Sequence, residues 1–191
     1  MDEVLKHRKA IEEAADKHGL SPALVCAVVE CESGGDSFAA RFEPAFNYLV
    51  PGAAKPANCN KTTERHLQKT SFGLMQVMGA TAREMGSAGF ITRLCDPAVG
   101  LDMGCNYLAG RIARWGEAAG ISAYNAGSPR KNSNGSFRNQ AYVNKVLAAK
   151  ARYEKALAGH VALAGHVALA KPELTLKKKN HDSPKQKPKR K

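Results

Sequence analysis

Glu32 is the residue whose position most demands a chemical explanation. It lies seven residues after Val25, four after Val28 and three after Val29, so in a helix it extends the apolar face those residues form. A carboxylate on such a face is costly unless it is paired or neutral. Glu32 also falls in the last turn, where the negative end of the helix dipole disfavours a negative charge. Both effects raise its pKa, and a carboxyl that keeps its proton near neutral pH is equipped to be a general acid. Glu30 is rotated by about 200° around the same helix and meets a different environment. The pattern alone also fits a Glu32 that merely ends the helix and reaches solvent past Gly34-Gly35.

Two further places invite chemistry. Gln76 is an uncharged amide inside an apolar run, and a buried amide needs partners, which favours a site role over a core role. Met75 in the same run reads better as core. Glu43, in Arg41-Phe42-Glu43-Pro44, is either a second active-site carboxylate or the partner of Arg41, and the ion pair is the favoured reading. The five cysteines leave at least one without an intramolecular partner. Cys26 and Cys31 point in different directions on one helix, and the helical rise between Cys95 and Cys105 exceeds the ~7 Å limit for a disulfide. No CxxC or clustered histidine pattern accompanies them, so the expectation is reduced, mostly buried thiols, with no metal and no cofactor.

The elements that must position these residues read as helices. Residues 3–18 have Val4, Ile11, Ala14 and Ala15 at helical spacing, with Gly19 as the stop. Ser21-Pro22 restarts a helix with Ser21 as N-cap and with Leu20 and Val25 placed as a hydrophobic staple. Its sequence, ALVCAVVECES, is apolar enough to be buried. Residues 36–71 read as one long irregular loop carrying the aromatics Phe38, Phe42, Phe46 and Tyr48, a length usually tied to function or mobility. A helix is expected over Ala80–Met85. Another follows Asp96-Pro97, with Leu101, Cys105, Leu108, Ile112 and Trp115 as one stripe. A short apolar segment ends at Asn125-Ala126-Gly127, a polar turn follows, and residues 140–157 form a last helix with Tyr142, Val146, Ala149 and Tyr153 on one side. The fold class is therefore all-α, with one long loop.

Beyond residue 157 the composition changes. Residues 158–170 repeat the unit AGHVAL, and six residues make about 600° of helix, so His160 and His166 do not share a face. Residues 171–191 hold nine Lys/Arg against Glu173 and Asp182, and read as a disordered basic tail. The expected division is 1–157 as the folded domain, 158–170 as the repeat and 171–191 as the tail. The formal charge of +12 favours anionic partners such as nucleic acid, membrane surfaces or the bacterial envelope. The tail lacks stacking aromatics and no reading-helix motif appears, which argues against specific nucleic-acid binding. No apolar run reaches the roughly 20 residues that span a bilayer, and the charged N-terminus does not read as a secretory signal.

From about Ser21 to Val146 the chain resembles the lysozyme-like lytic transglycosylase family, which includes the soluble transglycosylase domain and goose-type lysozymes. Phage and prophage members are especially similar. The matching blocks come in the family's order: Glu32-Ser33-Gly34-Gly35, Ser71-Phe72-Gly73-Leu74-Met75-Gln76-Val77-Met78, Ala80-Thr81-Ala82, Asp96-Pro97, and Ser122-Ala123-Tyr124-Asn125-Ala126-Gly127. The resemblance implies a lysozyme-like fold with Glu32 as the single essential acid/base. It implies a saccharide groove lined by Ser33, Gln76, Met78, Tyr124 and Asn125, where a tyrosine hydroxyl can hydrogen-bond near the carboxyl. It implies cleavage of peptidoglycan glycan strands. The protein is expected to act as a monomer, and the charge of the tail is expected to draw it to anionic envelope polymers. Without a signal, such an enzyme is expected to be made in the cytoplasm and to reach the wall with lysis machinery or in a virion. Gly79 replaces the proline common in the family after the second methionine, and the segment 41–70 is longer than in minimal members.

Overall fold

The structure is a computed structural model that describes residues 1–169, with side chains described through residue 159; the tail at 171–191 and the side chains of both repeat histidines lie outside what is described. The chain divides into two compact units, Met1–Leu157 and Ala158–Lys191. The first is built of helices around one apolar core, with a small antiparallel sheet of order β1-β2-β3.

The N-terminal pattern resolves into two helices, α1 (Asp2–Leu5) and α2 (Arg8–Lys17), where periodicity alone suggests one. The break lets α1 dock on the Gly34-Gly35 turn. His7 Nε2 lies 3.2 Å from the Gly35 carbonyl oxygen, and a Cβ on Gly35 (φ +96°) would sit 2.5 Å from the Glu3 carbonyl oxygen. Tertiary contact, not propensity, decides this boundary.

The central helix α3 (Pro22–Glu32) has Ala23 through Val29 all buried, as the apolar run predicts. Ser21 occupies the N-cap, but its hydroxyl makes no capping bond. Its carbonyl oxygen instead accepts from the amides of Leu24 and Val25, and Pro22 has no amide hydrogen to satisfy.

The segment expected to be an irregular loop contains β1 (Ala40–Phe42), α4 (Lys61–Gln68) and β2 (Thr70–Phe72). Hydrophobic periodicity does not reveal α4, because its buried residues, Glu64 and Gln68, are polar. Its inward face is held by Arg83 of α5 (Gly79–Glu84), whose guanidinium meets both Glu64 carboxylate oxygens at 2.7 and 2.9 Å. Gln68 and Cys59 complete the surroundings of that carboxylate. The Asn60 side chain caps α4 by accepting from the Thr63 amide.

Strand β3 (Val77–Met78) pairs with β2, and β2 with β1, placing Arg41 opposite Ser71 and Ser71 opposite Met78. The turn between β2 and β3 needs Gly73: its φ is +75°, and a Cβ there would meet the Leu94 carbonyl oxygen at 2.1 Å. A 3-10 turn (Ile91–Cys95) then leads to Asp96, whose carboxylate caps α6 (Pro97–Trp115) as expected. Helices α6, α7 (Glu117–Ala126) and α8 (Gln140–Leu169) supply Leu101, Cys105, Leu108, Ile121, Val143, Val146 and Tyr153 to the core. The five cysteines are all free, and burial pushes the Cys26 and Cys105 thiols up to about 12. Among the described residues, no helix is long and apolar enough to cross a membrane.

Candidate active site

A groove of about 480 Å³ opens along the C-terminal end of α3, and Glu32 lies in it. The helix carries seven buried residues in succession before Glu32, so the carboxyl emerges from the core half-desolvated. Burial raises its pKa. A hydrogen bond from Tyr142 and the charges of Arg41 and Lys145 pull the other way without cancelling the rise. The Tyr142 hydroxyl donates to Oε1 at 2.6 Å. Oε2 has no hydrogen-bond partner among the described residues, which leaves it available to a ligand in the groove.

The tyrosine hydrogen-bonded to the acid is Tyr142, at the start of α8, while Tyr124 is near enough for the Glu32 charge to add to the rise in its own pKa that burial causes. Tyr124 lines the groove, but its hydroxyl donates to the Met75 carbonyl oxygen at 2.7 Å. Its ring lies 5.5 Å from that of Tyr107, another groove residue. Tyr142 was legible only as part of the buried side of the last helix. Nothing in its spacing shows that a turn 110 positions after Glu32 returns to the same carboxyl.

The other expected site residues divide into two groups. Gln76, Met78 and Asn125 line the groove. Asn125 sits in the last turn of α7, ended by Gly127 in the left-handed conformation, and its side-chain oxygen accepts from Asn139 at 2.9 Å. That bond leaves the Asn125 amide hydrogens without a protein partner among the described residues.

Gln76 spends its amide on the frame of the site. Its NH₂ donates to the carbonyl oxygens of Ala39 and Gly73, both at 3.0 Å, and its oxygen accepts from Ser71 at 2.8 Å. These bonds hold it at φ +47°, a conformation L-residues seldom adopt and one that persists only where the surroundings enforce it. Ser33 does not line the groove. Its hydroxyl donates to the Leu74 carbonyl oxygen at 2.8 Å and fastens the end of α3 to the β2–β3 turn. Ser33 is thus a tie between two site-bearing elements, in contrast to the saccharide contact expected of it.

A second carboxylate, Glu43, also lines the groove and is paired with Arg41 at 2.6 Å. Asp36 does not line it; its side chain accepts from the Phe38 amide. Phe46 and Tyr48 add aromatic surface to the rim, with ring centroids 5.8 Å apart. The sequence shows these aromatics in the long segment but gives no sign that they reach the groove. Among the described residues no group of three or more His, Cys, Asp or Glu side chains could hold a metal ion.

An acid held at the end of a buried helix, a groove of amide and aromatic groups beside it, and a polar turn locking both together suit proton transfer to a neutral, hydroxyl-rich ligand. The fold is shared with a solved structure, an inactive Glu-to-Gln mutant of the lytic transglycosylase Slt from Pseudomonas aeruginosa. The match has a TM-score of 0.56 at 21% identity, covering 80% of this chain. This chain spans only 24% of that protein's length. Residues 9–146 match the transglycosylase SLT domain, most of the folded unit and every groove residue named above, and on that match the chain belongs to the transglycosylase SLT domain family.

Proposed function

We propose that the protein is a peptidoglycan lytic transglycosylase that cleaves the β-1,4 bond between N-acetylmuramic acid and N-acetylglucosamine and leaves a 1,6-anhydro-muramic end. The observation that carries this reading is Glu32: one carboxyl oxygen fixed by Tyr142, the other free toward the groove, and a pKa raised by burial. The similar Slt structure is that of an inactive Glu-to-Gln mutant, which is in keeping with a single indispensable glutamate.

The reaction needs one carboxyl used twice. Protonated Glu32 gives its proton to the glycosidic oxygen as that oxygen leaves C1 of the muramic residue. The carboxylate so formed takes the proton from the same sugar's C6 hydroxyl as the C6 oxygen bonds to C1. The nucleophile is intramolecular, so no water needs to be positioned. Burial favours the proton-bearing form at the first step, and the Tyr142 bond favours the carboxylate at the second. Asn125, Met78, Tyr107 and Tyr124 line the groove; in this reading Asn125 would hydrogen-bond a sugar substituent and the other three would give the ring faces an apolar wall.

Mass spectrometry of products from purified peptidoglycan tests this reading. Anhydro ends, lighter by one water than reducing ends, are expected from the earliest time point. Dominant reducing ends would make the protein a hydrolytic muramidase, with Glu43 the candidate base for water because it lines the same groove.

The reading extends to where the protein acts and what draws it there. The basic segment 171–191, outside the described residues, would hold the enzyme to acidic envelope polymers, and salt would screen that attraction. Delivery with phage lysis machinery or in a virion belongs to the same reading. Truncation after Ala170 is expected to weaken pelleting with cell walls at low salt only; pelleting that is unchanged at low salt would remove the tail from this account.

A further inference from the structure

The outer face of α4 builds a second cavity that the catalytic reading leaves unused. It has a volume of about 380 Å³ and is lined by Phe42, Lys61, Thr62, Arg65, His66 and Lys69. No acidic residue lines it. The side chains of Lys61 and Arg65 have no carboxylate partner among the described residues. Lys69 is buried to 9% exposure, yet its ammonium meets only neutral oxygens, the Pro44 carbonyl at 2.8 Å and the Asn47 side chain at 3.4 Å. A nearly buried cation without a counter-charge, beside two free ones, favours an anion in the cavity. His66 bonds the Thr62 carbonyl oxygen through Nδ1, leaving Nε2 open.

This cavity adjoins the glycan groove across a single strand. Arg41 and Glu43 line the groove, while Phe42 between them lines the basic cavity, as the alternation of side chains along a strand requires. Strand β1 is at the edge of the sheet, so a ligand can pass over it from one side to the other. The Phe42 ring, 49% exposed and 5.8 Å from the His66 ring, gives the cavity an aliphatic-compatible wall next to its cations.

We propose that the cavity formed by Phe42, Lys61, Arg65, His66 and Lys69 binds a carboxylate of the peptide stem carried by the glycan strand in the groove. The proposal rests on reading the groove as a muramyl-glycan site. A stem is covalently tied to the muramic residue, so a bound glycan delivers its carboxylates to a cavity one strand away at high effective concentration. Its side chains also bring the alkyl carbon that Phe42 can cover. A phosphate polymer offers the same negative charge with neither the tether nor the alkyl chain.

The test compares wild type with Lys61→Gln/Arg65→Gln on two substrates, stem-bearing glycan strands and strands stripped of peptide. Wild type is expected to show a lower KM on stem-bearing strands. The double variant should lose that preference, its KM on them rising about tenfold, while turnover of stripped strands stays unchanged. Equal preference in both proteins would overturn the proposal. Cleavage of stripped strands by wild type reports separately on the glycosidase reading. Calorimetry with the soluble tripeptide L-alanyl-D-isoglutamyl-L-lysine, and with inorganic phosphate, stands apart from catalysis. Tripeptide binding that the double variant abolishes supports the stem site even without cleavage. Phosphate binding without tripeptide binding would replace it with a phosphate site, and far-ultraviolet circular dichroism shows whether the variant is folded.

Discussion

The Tyr142 hydroxyl donates to Glu32 Oε1 at 2.6 Å, so the first turn of α8 sets the orientation of a carboxyl that α3 carries. This single bond joins the last helix of the folded unit to the acid. It also means that the acid's pKa is a balance, raised by burial and moderated first by this phenol and then by the charges of Arg41 and Lys145. The same proximity pushes the Tyr142 pKa well up, through burial first and the nearby carboxyl second, so the phenol stays a donor throughout the working range.

Replacing Tyr142 by Phe should therefore be read in the pH profile and not only in the rate. The donor stabilises the carboxylate, so its loss raises the Glu32 pKa further. The alkaline limb of kcat/KM, which follows loss of the acid's proton, is expected to move to higher pH. A fall in rate of about tenfold at neutral pH should accompany the shift, from a looser carboxyl. An alkaline limb that does not move would mean the bond does not operate in the working enzyme.

Glu32→Gln should lower wall cleavage by about three orders of magnitude and leave the fold intact. The sign for stability follows from the raised pKa. A carboxyl with a higher pKa folded than unfolded contributes stability below its unfolded pKa and loses it as pH rises through the folded value. At neutral pH the amide avoids that loss, so the variant should melt at or above the wild-type temperature. The gap should close as pH falls toward about 4. Thermal melts at pH 4 and pH 7, run beside turbidity assays, check both halves; a variant less stable at pH 7 would contradict the burial argument.

The site was legible in the sequence to the extent that it rests on short-range pattern. Glu32 could be singled out because Val25, Val28 and Val29 fix its face, whereas the pattern around Asn125 shows only a helix stop at Gly127, and its site role came from the family resemblance. Tyr142 and Ser33 were not readable in their actual roles, since each acts through a contact set by chain packing: Tyr142 reaches Glu32, and Ser33 reaches Leu74, 41 positions on. Helix α4 is hidden for a different reason. Hydrophobic periodicity finds helices that bury apolar stripes, and this one buries Glu64 against Arg83 with Gln68 bonded to the same carboxylate.

That buried ion pair gives a stability prediction. Arg83 also donates to the carbonyl oxygens of Ser87 and Gly89, so its guanidinium holds α4, α5 and the following turn together. Removing one partner, as in Arg83→Met, leaves the other's charge buried and should cost about 3–5 kcal/mol. Glu64→Gln/Arg83→Met should cost less than the sum of the two single changes, because the stranded charge is gone. The Arg83 hydrogen bond holds the Glu64 pKa below the usual range, against the opposing effect of burial. Its contribution is thus present above the unfolded carboxylate pKa and is lost as pH falls through the folded value. Urea melts of the single and double variants at neutral and acid pH measure these differences; additive losses would show that the pair does not act as a unit.

Glu43→Gln separates the two chemistries that a groove with two carboxylates permits. In the transglycosylase reading Glu43 has no proton to move, because the C6 hydroxyl supplies the nucleophile and Glu32 handles both transfers. Its visible role is to pair with Arg41, and with side-chain exposures of 40% and 69% such a pair contributes little, at most about 1 kcal/mol. The variant should fold normally and keep its rate within about fivefold of wild type, a change that corresponds to about 1 kcal/mol. It should still release anhydro ends. In the hydrolytic reading Glu43 must take a proton from water, and its amide would cost about two to four orders of magnitude. Rates and product masses from the same digestions decide between these outcomes. Loss of activity together with reducing ends in the wild-type digest would transfer the second proton step from Glu32 to Glu43.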